Sequence, residues 1–199
     1  PHLHADDLLD LMAEVPPTLS LGVPTIWLSL IQAIEHNPGR WSLPKGMRSI
    51  VGGSAPPESL IRAFAKHGVD LIQGWGMTET SPMCTISSIK SELQGASDDE
   101  KFRRKAMAGV PVTLVEMRIV DEDGTEQPWD GKTPGELQVR GPYITGSYYA
   151  VPADPDKHTA DGWLRTGDVA TIDEHGYMRI TDRTKDLIKS GGEWISSVD

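Results

Sequence analysis

Between residues 47 and 80 the chain changes its apolar period twice. Met47 to Val51 is a short apolar run that reads as a strand, and Gly52-Gly53 interrupts it. Pro57 suits a first helical turn, Leu60, Ile61 and Phe64 form one apolar face, and Gly68 can cap the end. Val69 to Gln73 reads as the next strand, and a second glycine-rich loop follows it. Strand, loop, helix, strand, loop in that order predicts a parallel α/β sheet with ligand loops at the strand ends.

The segments around this unit are consistent with it. Leu8, Leu9, Leu11 and Met12 predict a short amphipathic helix that stops before Pro16-Pro17. Pro24 opens a stronger one, with Trp27, Leu30, Ile31 and Ile34 at i, i+3, i+4 and i+7, and Asn37-Pro38-Gly39 ends it. Residues 88–105 are polar and read as a helix plus a connection. From Gly109 the texture becomes alternating. Val115, Met117 and Ile119 predict a strand, Asp123-Gly124 a turn, and Leu137 and Val139 another strand. Ala170–Ile172 and Tyr177–Ile180 flank Asp173-Glu174-His175-Gly176, a hairpin signal. The fold class expected is α/β: residues 1–105 belong to a parallel-sheet subdomain, 106–182 to a mainly antiparallel, barrel-like one, and 183–199 begin another domain.

Composition narrows the function. A chain of 199 residues with 38% hydrophobic and 24% charged content has the make-up of a globular protein. No run approaches the ~20 apolar residues of a membrane helix. A formal charge of −10 argues against a phosphate-backbone binder, so nucleic acid is not an expected partner. The acidic residues Asp98-Asp99-Glu100 and Asp121-Glu122-Asp123 read as solvated loop charge. The single Cys84 excludes an internal disulfide and a cysteine-based zinc site, and fits a reducing cytoplasm. Nothing beside it reads as a base, so it is expected to be a small packed side chain rather than a nucleophile. His2 and His4 have strand-like spacing, but two ligands do not make a metal site.

Four segments could carry chemistry. In Gly74-Trp75-Gly76-Met77-Thr78-Glu79-Thr80 the glycines let backbone approach a ligand, Trp75 offers a face to a base, Thr78 a hydroxyl to phosphate, and Glu79 a carboxylate to Mg²⁺. The ordinary alternative is a capped turn. Gly52-Gly53-Ser54-Ala55-Pro56-Pro57 could expose backbone groups to a planar base, or be a plain strand-to-helix loop. Asp168, after Thr166-Gly167, could accept both hydroxyls of a ribose, or be a turn residue. The stretch from Thr181 to Ser196 mixes cations, glycines and a Trp, as a site or as a solvated linker.

Together, in this order and spacing, the four segments resemble the adenylate-forming superfamily of acyl-CoA synthetases, luciferases and peptide-synthetase adenylation domains. The medium- and long-chain fatty acyl-CoA synthetase branch, with the bacterial methylmercaptopropionate-CoA ligases, is the nearest resemblance. It covers essentially all 199 residues, and the run from Lys185 to Asp199 is especially specific to that branch. The resemblance implies an acid-thiol ligase using ATP, Mg²⁺ and coenzyme A to activate a carboxylic acid as its acyl-AMP. It implies that Gly53, Ser54, Ala55 and Pro56 form the adenine-side loop, and that Gln73, Gly74, Trp75 and Gly76 line the other wall of the base and acyl pocket. It gives Thr78 the phosphate contact, Glu79 the metal, and Asp168 and Arg183 the ribose. Lys185 would be the hinge, Lys189 and Trp194 adenylate-proximal contacts, and Gly191 and Gly192 the pantetheine path. Trp75 stands where Tyr is common, which leaves the acyl pocket's depth open.

The resemblance also places a phosphate loop upstream of Pro1 and a catalytic Lys beyond Asp199. The chain is therefore expected to be an internal piece of a cytoplasmic, homodimeric enzyme, and inactive alone. Two other functions stay open: an adenylating enzyme that loads a carrier protein, and a non-catalytic nucleotide-binding module. Gly191-Gly192-Glu193-Trp194 favours the CoA ligase, and the full set Thr78, Glu79, Asp168 and Arg183 argues against a decayed module.

Overall fold

Parallel pairing needs a crossover between strands, and residues 52–69 supply one. In the computed structural model, which describes residues 3–152 and 154–183 with the backbone of Ile188–Ser190 and Glu193–Ile195, the chain divides into two compact units. One holds Pro1–Trp75 with Ile86–Met107, the other Gly76–Thr85 with Ala108–Asp199.

The first unit runs α1 (Ala5–Glu14), β1 (Leu19–Gly22), α2 (Pro24–His36), β2 (Arg48–Val51), α3 (Glu58–Lys66), β3 (Asp70–Trp75) and, later, α4 (Asp98–Lys105). Its strands pair in parallel in the order β1-β2-β3, with Leu21 opposite Ile50 and Ile50 opposite Ile72. The predicted face of α2 is the buried one: Trp27, Leu30, Ile31 and Ile34 all lie in the core. Trp27 meets Phe64 of α3 edge to face, with ring centroids 5.8 Å apart. Gly22 makes room for this, because a Cβ there would lie 3.1 Å from the Trp27 indole.

Two readings change. Pro57 is the N-cap of α3 rather than its first turn: its φ of −65° suits a helix, but its ψ of 146° is extended. Asp98-Asp99-Glu100 is not loop charge but the first turn of α4. Ser97 Oγ accepts the Glu100 N–H at 3.2 Å, acidic residues start the helix and Arg103, Arg104 and Lys105 end it, each matched to the nearer pole of the helix dipole.

The second unit is mainly antiparallel. After the short β4 (Thr85–Ile86) and β5 (Val110–Pro111) come β6 (Glu116–Val120), β7 (Gly135–Arg140), β8 (Leu164–Ile172) and β9 (Met178–Arg183), paired in the order β6-β7-β8-β9. The hairpin between β8 and β9 forms as predicted. Asp173 Oδ1 accepts the N–H groups of His175 and Tyr177 at 3.0 and 2.9 Å, and Gly176 takes a φ of +82°. The guanidinium groups of Arg118 and Arg140 both lie over Trp163, 4.4 and 4.5 Å from its ring centroid. β10 (Ile188–Ser190) and β11 (Glu193–Ile195) form a separate two-stranded ladder.

Candidate functional site

In a parallel sheet, loops at the carboxyl ends of neighbouring strands lie side by side. Val51 pairs with Gln73, so the loops after β2 and β3 start from adjoining strand ends. A Cβ on Gly52 would lie 3.5 Å from the Gly74 carbonyl oxygen. Gly53 has a φ of +87°, which disfavours any side chain. Gly53, Ser54 and Ala55 are exposed, and Pro56 is buried beneath them. Trp75 and Gly74 are half-buried.

Gln73 is buried, and its surroundings fix it. Its backbone N–H donates to Ser87 Oγ at 2.8 Å, and its carbonyl accepts the Ser87 N–H at 2.9 Å. With its amide turned so that nitrogen donates, the side chain reaches the Ala106 and Met107 carbonyls, each at 3.2 Å.

The second loop segment is a tight box. Thr80 is buried; its Oγ1 accepts the Met77 N–H at 2.8 Å and lies 3.0 Å from Met77 O and 2.9 Å from Pro82 O. Gly76 lies directly against this turn. A Cβ there would fall 1.9 Å from the Pro82 oxygen, so Gly76 is required by space rather than by its φ. The single 3₁₀ turn Thr78–Thr80 that follows leaves Thr78 exposed and Glu79 half-buried.

Glu79 is held at two points. Its carbonyl accepts the Thr145 N–H at 2.8 Å, and its Oε1 accepts the Tyr148 hydroxyl at 2.6 Å. The Tyr148 hydroxyl, with help from Glu79's own backbone and the charge of Lys157, holds the Glu79 carboxyl below its ordinary range despite partial burial. The same bond raises the Tyr148 phenol. Neither Thr145, Tyr148 nor Lys157 stands out in the sequence. The tyrosine lies 69 positions from its partner, and the one local hint is an aromatic pair set in a polar loop.

Asp168 owes its position to a bulge. Two residue steps along β7, from Glu136 to Gln138, face four along β8, from Val169 back to Arg165. The surplus collects at Thr166-Gly167-Asp168, where Gly167 takes a φ of +74°. Thr166 Oγ1 donates to Leu137 O at 2.8 Å and accepts the Asp168 N–H at 3.1 Å. The bulge presents a buried Asp168 opposite Arg183, whose Nε lies 3.2 Å from Asp168 Oδ1.

Lys185, Gly191 and Gly192 lie outside the described residues, as does His2. Lys189 and Trp194 are described in backbone alone, as register partners across β10 and β11. Cys84 is wholly buried, and burial pushes its thiol up to about 12, which removes it from nucleophilic chemistry. Among the described residues no three His, Cys, Asp or Glu side chains gather to hold a metal, and no helix is long and apolar enough to cross a membrane. A Mg²⁺ bound mainly by substrate phosphates needs one or two carboxylates from the protein, and Glu79, favoured in its charged form, fits that role.

Comparison with known proteins identifies the chain's family. The family described as AMP-binding enzyme matches residues 1–149, and the chain belongs to that family. A long-chain-fatty-acid–CoA ligase of Thermus thermophilus is 48% identical over 200 aligned residues, 100% of this chain and 37% of that ligase. The 3-methylmercaptopropionyl-CoA ligase of Ruegeria pomeroyi is 42% identical, again over 100% of this chain and 36% of its own. The O-succinylbenzoate coenzyme A synthetase of Bacillus subtilis has been solved with its acyl-adenylate intermediate and with ATP and magnesium. The adenylate complex superposes with a TM-score of 0.78 at 28% identity, over 98% of this chain and 37% of that one. The ATP complex gives 0.76 at 27%, over 96% and 37%. The chain thus spans just over a third of the length of the curated relatives it matches.

Proposed function

We propose that the full-length protein carrying this chain is an AMP-forming acyl-CoA ligase acting on a fatty acid or a methylthio-substituted relative. The observation that carries the reading is the Glu79 carboxylate, held by the Tyr148 hydroxyl at 2.6 Å in the Gly-Trp-Gly-Met-Thr-Glu segment of a chain that is 48% identical, over all of its own length, to a fatty-acid ligase.

Two steps are involved. A carboxylate oxygen of the acid attacks the α-phosphorus of ATP, and the bond to the bridging oxygen breaks to release pyrophosphate. The CoA thiolate then attacks the acyl carbon, and AMP leaves. A bound Mg²⁺ supplies charge neutralisation on the phosphate oxygens. Glu79 would hold it, and the exposed Thr78 hydroxyl would donate to a phosphate. Asp168 has two acceptor oxygens, which match a vicinal diol, and the partly exposed Arg183 beside it adds donors. The loop pair at Gly53 and Gly74 would flank the adenine. Preorganised contacts of this kind are worth about 3 kcal/mol each at the barrier, so positioning accounts for much of the catalysis.

The test is product analysis on the full-length protein with ATP, Mg²⁺ and CoA across acids from acetate to palmitate plus methylthio-propionate. Thioester appearing with AMP supports the ligase, and the preferred acid identifies the substrate. AMP without thioester points to carrier loading. Neither product with any acid overturns the enzymatic reading.

A further inference from the structure

A ligand carboxylate is useful to a metal in proportion to how well its orientation is fixed, and partners outside the ligand set do the fixing. Glu79 has such a partner in a loop that no motif singled out. The loop touches it twice, through the Thr145 N–H on its carbonyl at 2.8 Å and the Tyr148 hydroxyl on Oε1 at 2.6 Å. The loop is itself braced. Thr145 Oγ1 donates to Ser147 O at 2.9 Å, and His158 Nε2 lies 2.9 Å from Thr145 O, closing the segment on itself. Tyr148 is not held there by the core: it is 41% exposed, and Tyr149 next to it is 99% exposed. Its bond to Glu79 is thus what distinguishes it from an ordinary surface tyrosine.

We infer that Tyr148 is a positioning residue for the Glu79 carboxylate, and that through it residues 145–148 set how strongly a divalent cation couples to nucleotide binding. The inference rests on Glu79 being the metal carboxylate of the proposed ligase. The box formed by Met77, Thr80 and Pro82 braces the turn that carries Glu79, and the phenol holds the Oε1 of its carboxylate. A cation that demands near-octahedral geometry is sensitive to where the carboxylate oxygens sit.

The test measures ATP affinity of the full-length protein by calorimetry, once with Mn²⁺ and once with EDTA, and takes the ratio. The proteins are wild type, Tyr148→Phe, Glu79→Gln and the double variant, with AMP affinity in EDTA as the control for folding. Tyr148→Phe should lower the ratio by about tenfold, the lower end for an outer-shell partner because Tyr148 is partly exposed. AMP affinity should stay within twofold of wild type, and the double variant should match Glu79→Gln alone. A ratio unchanged in Tyr148→Phe while Glu79→Gln collapses it overturns the role of Tyr148. A further fall in the double variant, or a parallel loss of AMP affinity in Tyr148→Phe, overturns it as well. A ratio untouched by Glu79→Gln instead removes the metal assignment beneath the inference.

Discussion

Replacing Gly76 by alanine puts a Cβ 1.9 Å from the Pro82 carbonyl oxygen, 2.9 Å from its carbon and 2.8 Å from Thr80 Oγ1. An ordinary carbon–oxygen contact is about 3.3 Å or more, so backbone must move by over an ångström. The atoms in the way are a main-chain carbonyl and a buried hydroxyl, neither of which can swing aside. The movement strains the bonds Thr80 Oγ1 makes to Met77 N and Pro82 O, at 2.8 and 2.9 Å. Overpacking costs about 1–3 kcal/mol, and a buried hydrogen bond left unmade adds about 1–3 more. We therefore expect local stability to fall by about 3 kcal/mol, which speeds amide exchange from the local opening by about 100-fold. Hydrogen exchange of the amides of Met77, Thr80 and Ser81 reads this directly. Gly95→Ala is the control, because nothing lies within 4 Å of a Cβ there. Exchange in Gly76→Ala within threefold of wild type would refute the steric argument.

Other consequences are equally direct. Asp168→Asn should reduce discrimination between AMP and 2′-deoxy-AMP by about tenfold or more, since a hydrogen bond to a charged group is worth about 1.5–3 kcal/mol; equal discrimination in both proteins would detach Asp168 from the ribose. Glu79 has a folded-state value below its ordinary 4.5, so its contribution to stability is complete above pH 4.5 and disappears as pH falls through the folded value. The gap in urea midpoint between wild type and Glu79→Gln should therefore hold constant above pH 4.5 and narrow as the pH falls below it, and a gap that stays constant down to the acid limit of folding would contradict the assignment. Cys84, buried and pushed up to about 12, should resist a disulfide reagent in the native state at pH 8 and react only when the protein is unfolded.

Much of this was legible because it is local. The four residues Trp27, Leu30, Ile31 and Ile34 set the buried face of α2 by spacing alone. The Asp-Glu-His-Gly hairpin follows from an Asp that accepts its neighbours' amides and a Gly that tolerates a positive φ. What stayed hidden is long-range or short. β1 holds only Leu19-Ser20-Leu21-Gly22, too few residues to show a period, and its leucines are exposed rather than buried. The bulge that presents Asp168 depends on register against β7, which no pattern within β8 records. Gly76 reads as a glycine that lets backbone approach a ligand, yet the structure's reason for it is the Pro82 carbonyl six positions on. Asp98-Asp99-Glu100 reads as loop charge because acidity alone does not separate a loop from a helix start; the Ser97 cap decides it.

In the proposed ligase the acid attacks the α-phosphorus of ATP, and oxygen tracing tests that step most directly. The full-length protein is supplied with its preferred acid labelled with ¹⁸O at both carboxylate oxygens, together with ATP, Mg²⁺ and CoA, and the products are weighed by mass spectrometry. An acyl-adenylate route transfers one labelled oxygen to AMP and leaves the other in the thioester carbonyl. Unlabelled AMP, with the label in inorganic phosphate or retained only by the acid, would contradict the account.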